Sequence, residues 1–240
     1  MAKNIYEEEL ESPKPKKILL FSGGLDSYIA YKLWKPDLLL YCQLNHRYCR
    51  QELETISKLN IDHSTLIIDK KVSLYSEERL DAIIPLRNLF LVSIASRYAD
   101  TIGMGVLSGE VNGDKGEDFR SLSEQLLSVC YSNSYWCEGR KINLVYPINN
   151  YTKAELINEY LLNGFSIPEL LATRSCYSTS AIPCGQCSAC VKRFIAMTIN
   201  GIQEHYEVDP RISPIIQEFK KRFNTYDDKR KKEIEYVFGW

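Results

Sequence analysis

The chain has 240 residues, of which 45% are hydrophobic and 25% charged, and its 30 basic and 31 acidic side chains leave a net charge of −1. This is the composition of a globular protein, which excludes wholesale disorder, and the near-zero charge argues against a generally basic nucleic-acid-binding protein. No apolar run reaches the ~18 residues that a membrane-spanning helix needs, so we expect no membrane segment. At about 150 residues per domain, we expect one large domain or one domain with appendages.

The first 16 residues are predicted to be a polar tail. They contain four glutamates and two prolines among lysines, which leaves little apolar surface to bury. The same segment lacks the apolar core of a secretory signal and is too acidic for a typical transit peptide. We therefore expect a cytoplasmic location.

Strands and helices are predicted to alternate from residue 17 onward. Short apolar runs predict buried strands at 17–21, 38–42, 65–68, 101–106 and 142–145. Helical spacing of apolar residues predicts helices at 26–34, 51–59, 88–98, 119–129 and 152–162, and further helices from residue 191 divided by Pro210 and Pro214. Such alternation is typical of parallel βαβ units. The predicted class is α/β, with a doubly wound, mostly parallel five-stranded sheet.

The first chemical signal lies between the first predicted strand and the first predicted helix. It consists of Phe21, Ser22, Gly23, Gly24, Leu25, Asp26 and Ser27. Two glycines allow a tight turn and a close approach to a ligand, and the free N–H groups of the following helix attract anions. A plain strand-to-helix turn is the alternative, but ligands bind at this edge of an α/β sheet. Asp26 has the wrong charge for a phosphate and fits better as a helix cap, or as a group that orients the loop or a magnesium ion.

The second signal is a cluster of four of the eight cysteines, spaced C-x7-C-x2-C-x2-C. Its members are Cys176, Cys184, Cys187 and Cys190. Without a secretory signal, such spacing favours a metal site over disulfides, and four thiolates predict one tetrahedral, structural zinc ion per chain. An iron–sulfur cluster is the rival interpretation. The other four cysteines lack metal spacing and are interpreted as core or surface thiols. The predicted division is an α/β domain with the anion-binding loop at 17–170 and a zinc-binding helical subdomain at 171–240.

Together these signals resemble the 7-cyano-7-deazaguanine synthases, members of the ATP pyrophosphatase superfamily with its S-G-G-x-D-S loop. Further similar segments are residues 43–53 (QLNHRYCRQEL), 84–91 (IPLRNLFL), 151–155 (YTKAE), 173–177 (TRSCY) and 184–190 (CGQCSAC), the last followed by Arg193. The similarity extends over about residues 17–197. One segment departs from the family: residues 116–120 read GEDFR where members have Tyr-Pro-Asp-Cys-Arg, so that Asp118 and Arg120 match and the other three residues differ.

The resemblance implies an ATP-dependent ligase that forms C–N bonds. The implied reaction converts 7-carboxy-7-deazaguanine and ammonia to 7-cyano-7-deazaguanine through an adenylated acid and an adenylated amide. It implies catalytic roles for Lys153 and Arg87, with Lys153 placing a charge on the pyrophosphate, and substrate contacts for Asn88, Asp118 and Arg120. ATP is the implied co-substrate, with Mg²⁺. The expected partners are these small molecules, without direct nucleic-acid binding, and a homodimer is left open.

Three other functions stay open at this point. A related ligase on a different carboxylate would keep the ATP half of the site and change residues 116–120. A tRNA-thiolating enzyme would need a cysteine persulfide or an iron–sulfur cluster, and the suitable cysteines are already assigned to the zinc cluster. A non-catalytic nucleotide-binding module would use the zinc to support a partner surface. His46, His63 and His205 show no catalytic context in the sequence and are assigned no role.

Overall fold

The computed structural model describes residues 16–180 and 182–240, so the predicted polar tail lies outside the described residues except for Lys16. Its centre is a five-stranded sheet with the order β3-β2-β1-β4-β5, in which every neighbouring pair is parallel. The strands are β1 (Lys17–Leu20), β2 (Leu38–Cys42), β3 (Leu66–Asp69), β4 (Thr101–Gly103) and β5 (Asn143–Val145). The predicted α/β class and five-stranded parallel sheet are thus confirmed.

Nine α-helices complete the described part of the chain. They are α1 (Leu25–Trp34), α2 (Cys49–Ile56), α3 (Arg87–Ala95), α4 (Glu117–Cys130), α5 (Lys153–Leu162), α6 (Ile167–Ala172), α7 (Ser188–Ile199), α8 (Ile216–Arg222) and α9 (Asp228–Phe238). The short α6, which begins beside a proline, was not predicted. The predicted strand at 101–106 was too long, because the Val106 N–H bonds the Met104 carbonyl at 2.9 Å and turns the chain out of the sheet.

Alternating strand residues divide the core between the two faces of the sheet. On one face, strand residues pack with helices α1 and α5, and these residues are Leu19, Leu39 and Tyr41. On the other face, strand residues pack with helices α3 and α4, and these residues are Ile18, Leu40, Ile102 and Leu144. Because both faces are covered, ligands can reach the sheet only along its edges.

Helix α7 connects the C-terminal part of the chain to the sheet domain. Ala196 and Met197 belong to the core beneath α1 and α5, while Val191 and Ile195 pack with residues of α8 and α9. The two predicted parts therefore share this helix, and the predicted boundary at residue 170 stays a prediction. Among residues 16–180 and 182–240, no helix is both long enough and apolar enough to cross a membrane.

Candidate functional site

The candidate site lies at the carboxyl ends of β1 and β4, where the strand order of the sheet reverses. Open α/β sheets bind ligands in the crevice at such a switch point. The loop of residues 21–27 follows β1 directly, and the chain after β4 returns beside it. A Cβ atom on Gly105 would lie 3.9 Å from the Ser27 amide nitrogen, so the two segments almost touch.

The loop of residues 21–27 is shaped to present backbone N–H groups. Gly23 has a φ of +72°, and a Cβ atom there would lie 2.9 Å from Cγ1 of Ile56 in α2. Gly24 is the N-cap of α1, and no side chain in the described residues caps this helix. The Ser27 hydroxyl donates to the Gly24 carbonyl at 3.0 Å and lies 3.4 Å from the Ser22 hydroxyl. The open helix N-terminus and the two hydroxyls form a cradle suited to an anion.

Lys153 brings a positive charge to this cradle. It is the first residue of α5, whose start is held by a capping box in which Thr152 and Glu155 bond each other's backbone N–H groups. The Lys153 ammonium donates to the Asp26 carboxylate in the first turn of α1, and both side chains are largely buried. Because Gly24 is the N-cap, the helix-cap interpretation of Asp26 was wrong, whereas its contact with Lys153 holds α5 against the loop.

Arg87 and Asn88 begin helix α3 at the same edge of the sheet, but they are used differently. Within residues 16–180 and 182–240, the Arg87 guanidinium forms no hydrogen bond or ion pair, so its donors are free for a ligand. Burial raises the pKa of the Glu52 carboxyl, and the nearby positive charge of Arg87 offsets part of this rise. The Asn88 amide is buried and donates to the Asp114 carboxylate at 2.8 Å. Asn88 therefore holds the turn at residues 113–115.

Asp118 and Arg120 lie in the first turn of α4, where this chain departs from the family pattern. Asp118 is exposed. The Arg120 guanidinium donates to the Glu117 carboxylate, with 2.9 Å between Nε and Oε2. This hydrogen bond lowers the pKa of Glu117. Glu117 stands where family members have proline. It thus neutralises Arg120, which was predicted to bind the substrate.

The four clustered cysteines form one metal-compatible group. Their Sγ atoms all lie within 4.8 Å of one another. A tetrahedral zinc ion with Zn–S bonds of about 2.3 Å separates its sulfur ligands by about 3.8 Å. The Sγ atoms of Cys184 and Cys190 are 3.9 Å apart, which matches this separation. The group could therefore hold a metal ion such as zinc.

The backbone around the cysteines is built for thiolate ligands. Gly185 has a φ of +72°, and a Cβ atom there would lie 1.8 Å from the Val208 carbonyl oxygen, so no other residue fits without moving the chain. Backbone N–H groups donate to the sulfur atoms of Cys176, Cys184 and Cys187 at 3.3–3.4 Å. Hydrogen bonds from the Cys176 and Cys190 thiols lower the pKa of Cys187, which favours its thiolate.

Residues 170–176 connect the cysteine group to the anion cradle. Arg174 lies two residues before Cys176, the first clustered cysteine. Its backbone N–H donates to the Gly23 carbonyl at 3.3 Å. Arg193 of α7 is almost fully buried, pairs with Glu204 at 2.8 Å and donates to the Thr173 hydroxyl at 2.8 Å. The connecting segment is therefore held at two adjacent residues, Thr173 and Arg174.

One group of side chains was missed by the sequence analysis, which gave no role to His46 or to the Cys49 thiol. The His46 Nδ1 atom lies 2.7 Å from the Cys49 Sγ atom, and its Nε2 atom lies 3.4 Å from Glu52 Oε2. Burial lowers the pKa of His46, but the hydrogen bond to Cys49 and the charge of Glu52 raise it by more. The available signal was the spacing H-x2-C-x2-E. Cys49 and Glu52 lie three residues apart on one face of α2, and His46 precedes this helix.

Comparison with known proteins agrees with the predicted resemblance. The sequence pattern of the family described as "Queuosine biosynthesis protein QueC" matches residues 16–201. The 7-cyano-7-deazaguanine synthase 2 of Sulfurisphaera tokodaii is 25% identical over 235 residues, covering 85% of this chain and 50% of the relative. The 7-cyano-7-deazaguanine synthase of Nostoc punctiforme is 28% identical over 232 residues, covering 82% of this chain and 99% of the relative.

The chain thus spans about half the length of the Sulfurisphaera relative and nearly all of the Nostoc relative. A third relative, the 7-cyano-7-deazaguanine synthase of Marinobacter nauticus, is 27% identical over 216 residues, which cover 94% of it. The family match includes the sheet, the loop of residues 21–27 and all four clustered cysteines. The chain belongs to the queuosine biosynthesis protein QueC family.

Proposed function

We propose that the chain converts 7-carboxy-7-deazaguanine and ammonia to 7-cyano-7-deazaguanine, using ATP. The observation that carries the proposal is the anion cradle at the switch point, with the Lys153–Asp26 ion pair beside it, in a chain that belongs to this family. Ser22, Gly23, Gly24 and Ser27 would hold the pyrophosphate of ATP through backbone N–H groups and hydroxyls. Because the first relatives are about twice as long as this chain, the substrates and partners are also part of the proposal.

The proposed reaction removes both carboxylate oxygens as parts of AMP. The carboxylate attacks the α-phosphorus of ATP and pyrophosphate leaves. Ammonia then displaces AMP to give the amide. The amide oxygen attacks the α-phosphorus of a second ATP and pyrophosphate leaves, and loss of AMP and of both N–H protons gives the nitrile. In both steps, the cradle and Lys153 stabilise the charge on the departing pyrophosphate. A magnesium ion bound with ATP would share this charge neutralisation.

The direct test is to supply the acid, ATP and ammonia and to follow amide and nitrile by mass spectrometry. Exchange of labelled pyrophosphate into ATP, measured with and without the acid, isolates the adenylation step. We expect acid-dependent exchange, followed by nitrile and AMP. Release of only ADP and phosphate would contradict the proposal, because it would mean transfer of the γ-phosphoryl group.

A second candidate is the same ligase chemistry on a different carboxylate. The specific observation is the Glu117–Arg120 ion pair, which occupies the guanidinium that would meet an acidic substrate. If ATP–pyrophosphate exchange depends on another carboxylic acid and not on 7-carboxy-7-deazaguanine, this candidate replaces the first. A tRNA-thiolating enzyme and a non-catalytic module gain no comparable support.

Replacing Lys153 by alanine should slow ATP–pyrophosphate exchange by roughly ten- to two-hundredfold, because a hydrogen bond to a charged group is worth about 1.5–3 kcal/mol. The variant also leaves Asp26 unpaired beside the phosphates, which adds repulsion. The matched control is Lys229→Ala, since Lys229 pairs with Glu155 of the same helix at 2.8 Å but is largely exposed. Equal exchange rates in both variants would remove Lys153 from the site.

Replacing Arg120 by alanine should lower kcat/KM for the acid by roughly ten- to two-hundredfold if the guanidinium binds the carboxylate, while the affinity for ATP stays unchanged. Substrate must first displace Glu117, so Glu117→Gln should raise kcat/KM. The matched control is Arg211→Ala, which removes an exposed arginine paired with Asp209. An unchanged kcat/KM in Arg120→Ala would exclude this substrate contact.

A further inference from the structure

Beyond the end of strand β2, the side chains of Cys49, His46 and Glu52 lie in contact in that order. The thiol lies against one imidazole nitrogen at 2.7 Å, and the carboxylate lies 3.4 Å from the other. The Tyr41 hydroxyl donates to the same carboxylate at 2.9 Å and fixes its orientation. A nucleophile, a base and a group that orients the base, in this order, form the arrangement of a nucleophilic triad.

The triad belongs to the same edge of the sheet as the anion cradle. Helix α2 begins at Cys49, and its last residue, Ile56, contacts Gly23 of the cradle. With a rise of 1.5 Å per residue, these two ends are about 10 Å apart along the helix axis. The Arg87 guanidinium is close enough to Glu52 for its charge to lower the pKa of that carboxyl. Cys49 therefore lies about 10 Å along the helix axis from the loop that would hold the pyrophosphate of ATP.

We infer that Cys49 is a catalytic nucleophile that takes the acyl group from the adenylate as a thioester before ammonia receives it. The inference rests on the proposed function, which supplies the adenylated acid. The sulfur attacks the acyl carbon, the C–O bond to AMP breaks with its electrons leaving on AMP, and the thiol proton passes to His46 Nδ1. Ammonia then attacks the thioester carbon, the C–S electrons return to sulfur with one ammonia proton, and His46 releases its proton to water.

The three residues have different roles in this step. His46 is the general base, and its Nδ1 atom already faces the sulfur. Glu52 is a positioning residue, because it acts through the Nε2 atom of His46 and touches no reacting atom. Without the thioester, ammonia would have to attack the adenylate directly, in competition with hydrolysis of the adenylate by water. A thioester stores the acyl group in a form that prefers the amine.

The first experiment traps the thioester. The chain is incubated with ATP, Mg²⁺ and 7-carboxy-7-deazaguanine without ammonia, quenched in acid, and analysed by intact-protein and peptide mass spectrometry. We expect an increase equal to the acid less one water on the peptide that contains Cys49, and its loss on adding ammonia. Cys49→Ala and Cys49→Ser should lack this thioester yet retain ATP–pyrophosphate exchange. The control is Cys130→Ala, which removes an exposed thiol outside the site and should form the adduct normally.

The second experiment measures the rate of adduct formation against pH. His46→Gln should slow adduct formation by about a hundredfold or more, the usual contribution of a general base. Glu52→Gln removes a charge that raises the pKa of His46, so the acidic limb of its profile should move to lower pH. A purely structural role of Glu52 would lower the rate without moving the limb. The charged and titratable groups around the imidazole are Cys49 and Glu52 of α2, Tyr41 of β2 and Arg87 of α3. Two chain neighbours complete the set: Arg47, which pairs with Glu78, and Tyr48, whose ring centroid lies 6.0 Å from that of His46.

The outcomes distinguish failure of this inference from failure of the proposed function on which it rests. If the wild-type chain shows acid-dependent pyrophosphate exchange and makes the amide, but forms no adduct, and Cys49→Ala makes the amide at the same rate, the inference is overturned and the function stands. If exchange is absent with any carboxylic acid, the function fails, and the inference fails with it because no adenylate supplies the acyl group. An adduct on Cys49 that disappears with ammonia supports both.

Discussion

Alanine in place of Cys187 should leave a chain that retains no metal and loses most of its folded C-terminal part. The substitution removes one of four converging sulfur ligands and also the atom that caps α7 by accepting from the Cys190 N–H. Structural zinc contributes about 10–16 kcal/mol of apparent binding free energy in small peptides, as much as the whole stability of many domains. Elemental analysis and thermal unfolding followed by circular dichroism measure the two effects.

Cys130→Ala is the matched control, because it removes an exposed thiol far along α4 and should change neither the metal content nor the melting temperature. The unmodified chain, purified without added metal, should be colourless and contain one zinc ion. A brown sample with iron and labile sulfide would replace the zinc prediction by an iron–sulfur cluster. A Cys187→Ala chain that is metal-free and unfolds like the unmodified one would show that the site is not structural.

Valine in place of Gly23 should abolish ATP–pyrophosphate exchange. The position has a φ of +72°, and its Cβ atom would come within 2.9 Å of the Ile56 side chain, so helix α2 or the loop must move. The branched side chain would also stand where the backbone has to approach a phosphate. ATP–pyrophosphate exchange at saturating carboxylic acid and ATP binding measured by calorimetry should both fall below detection. Circular dichroism should still show a folded chain.

The matched control for this variant is Gly164→Val. Gly164 has a similar φ of +79°, but its Cβ atom would meet nothing within 4 Å. Both substitutions carry the same backbone strain, of the order of 1–3 kcal/mol, so a difference between them reports on the site and not on strain. If both variants lose exchange in proportion to their loss of stability, the loop has no special part in binding ATP.

The fold could be predicted from the sequence because its strands are buried on both faces and appear as continuous apolar runs such as ILLF and LLLYC. The loop and the cysteine cluster were equally visible, since each is a local pattern whose chemistry depends on a few neighbouring residues. Element ends were less accurate. Helix α2 begins two residues before its predicted start, and β4 ends early, because local turns and not hydrophobicity decide where an element stops.

The remaining parts of the site depend on contacts between distant or unremarkable residues. The pairing of Lys153 with Asp26 joins side chains 127 positions apart and follows only from the packing of α5 beside α1. The replacement of a proline by Glu117 was visible in the sequence, but its bond to Arg120 was not. His46 looked unremarkable because its partner Cys49 precedes the predicted start of the helix, so its position on α2 was not foreseen.

The segment that joins the cysteine group to the cradle has a thermodynamic consequence. Since Arg174 bonds the Gly23 carbonyl and Cys176 follows two residues later, ordering of the loop by nucleotide should also order the nearest metal ligand. Coupling between two binding equilibria is reciprocal: if nucleotide tightens the hold on the metal by some factor, the metal tightens the hold on nucleotide by the same factor. The rate at which a chelator strips the ion should therefore fall as ATP is added, and the stripped chain should bind ATP more weakly.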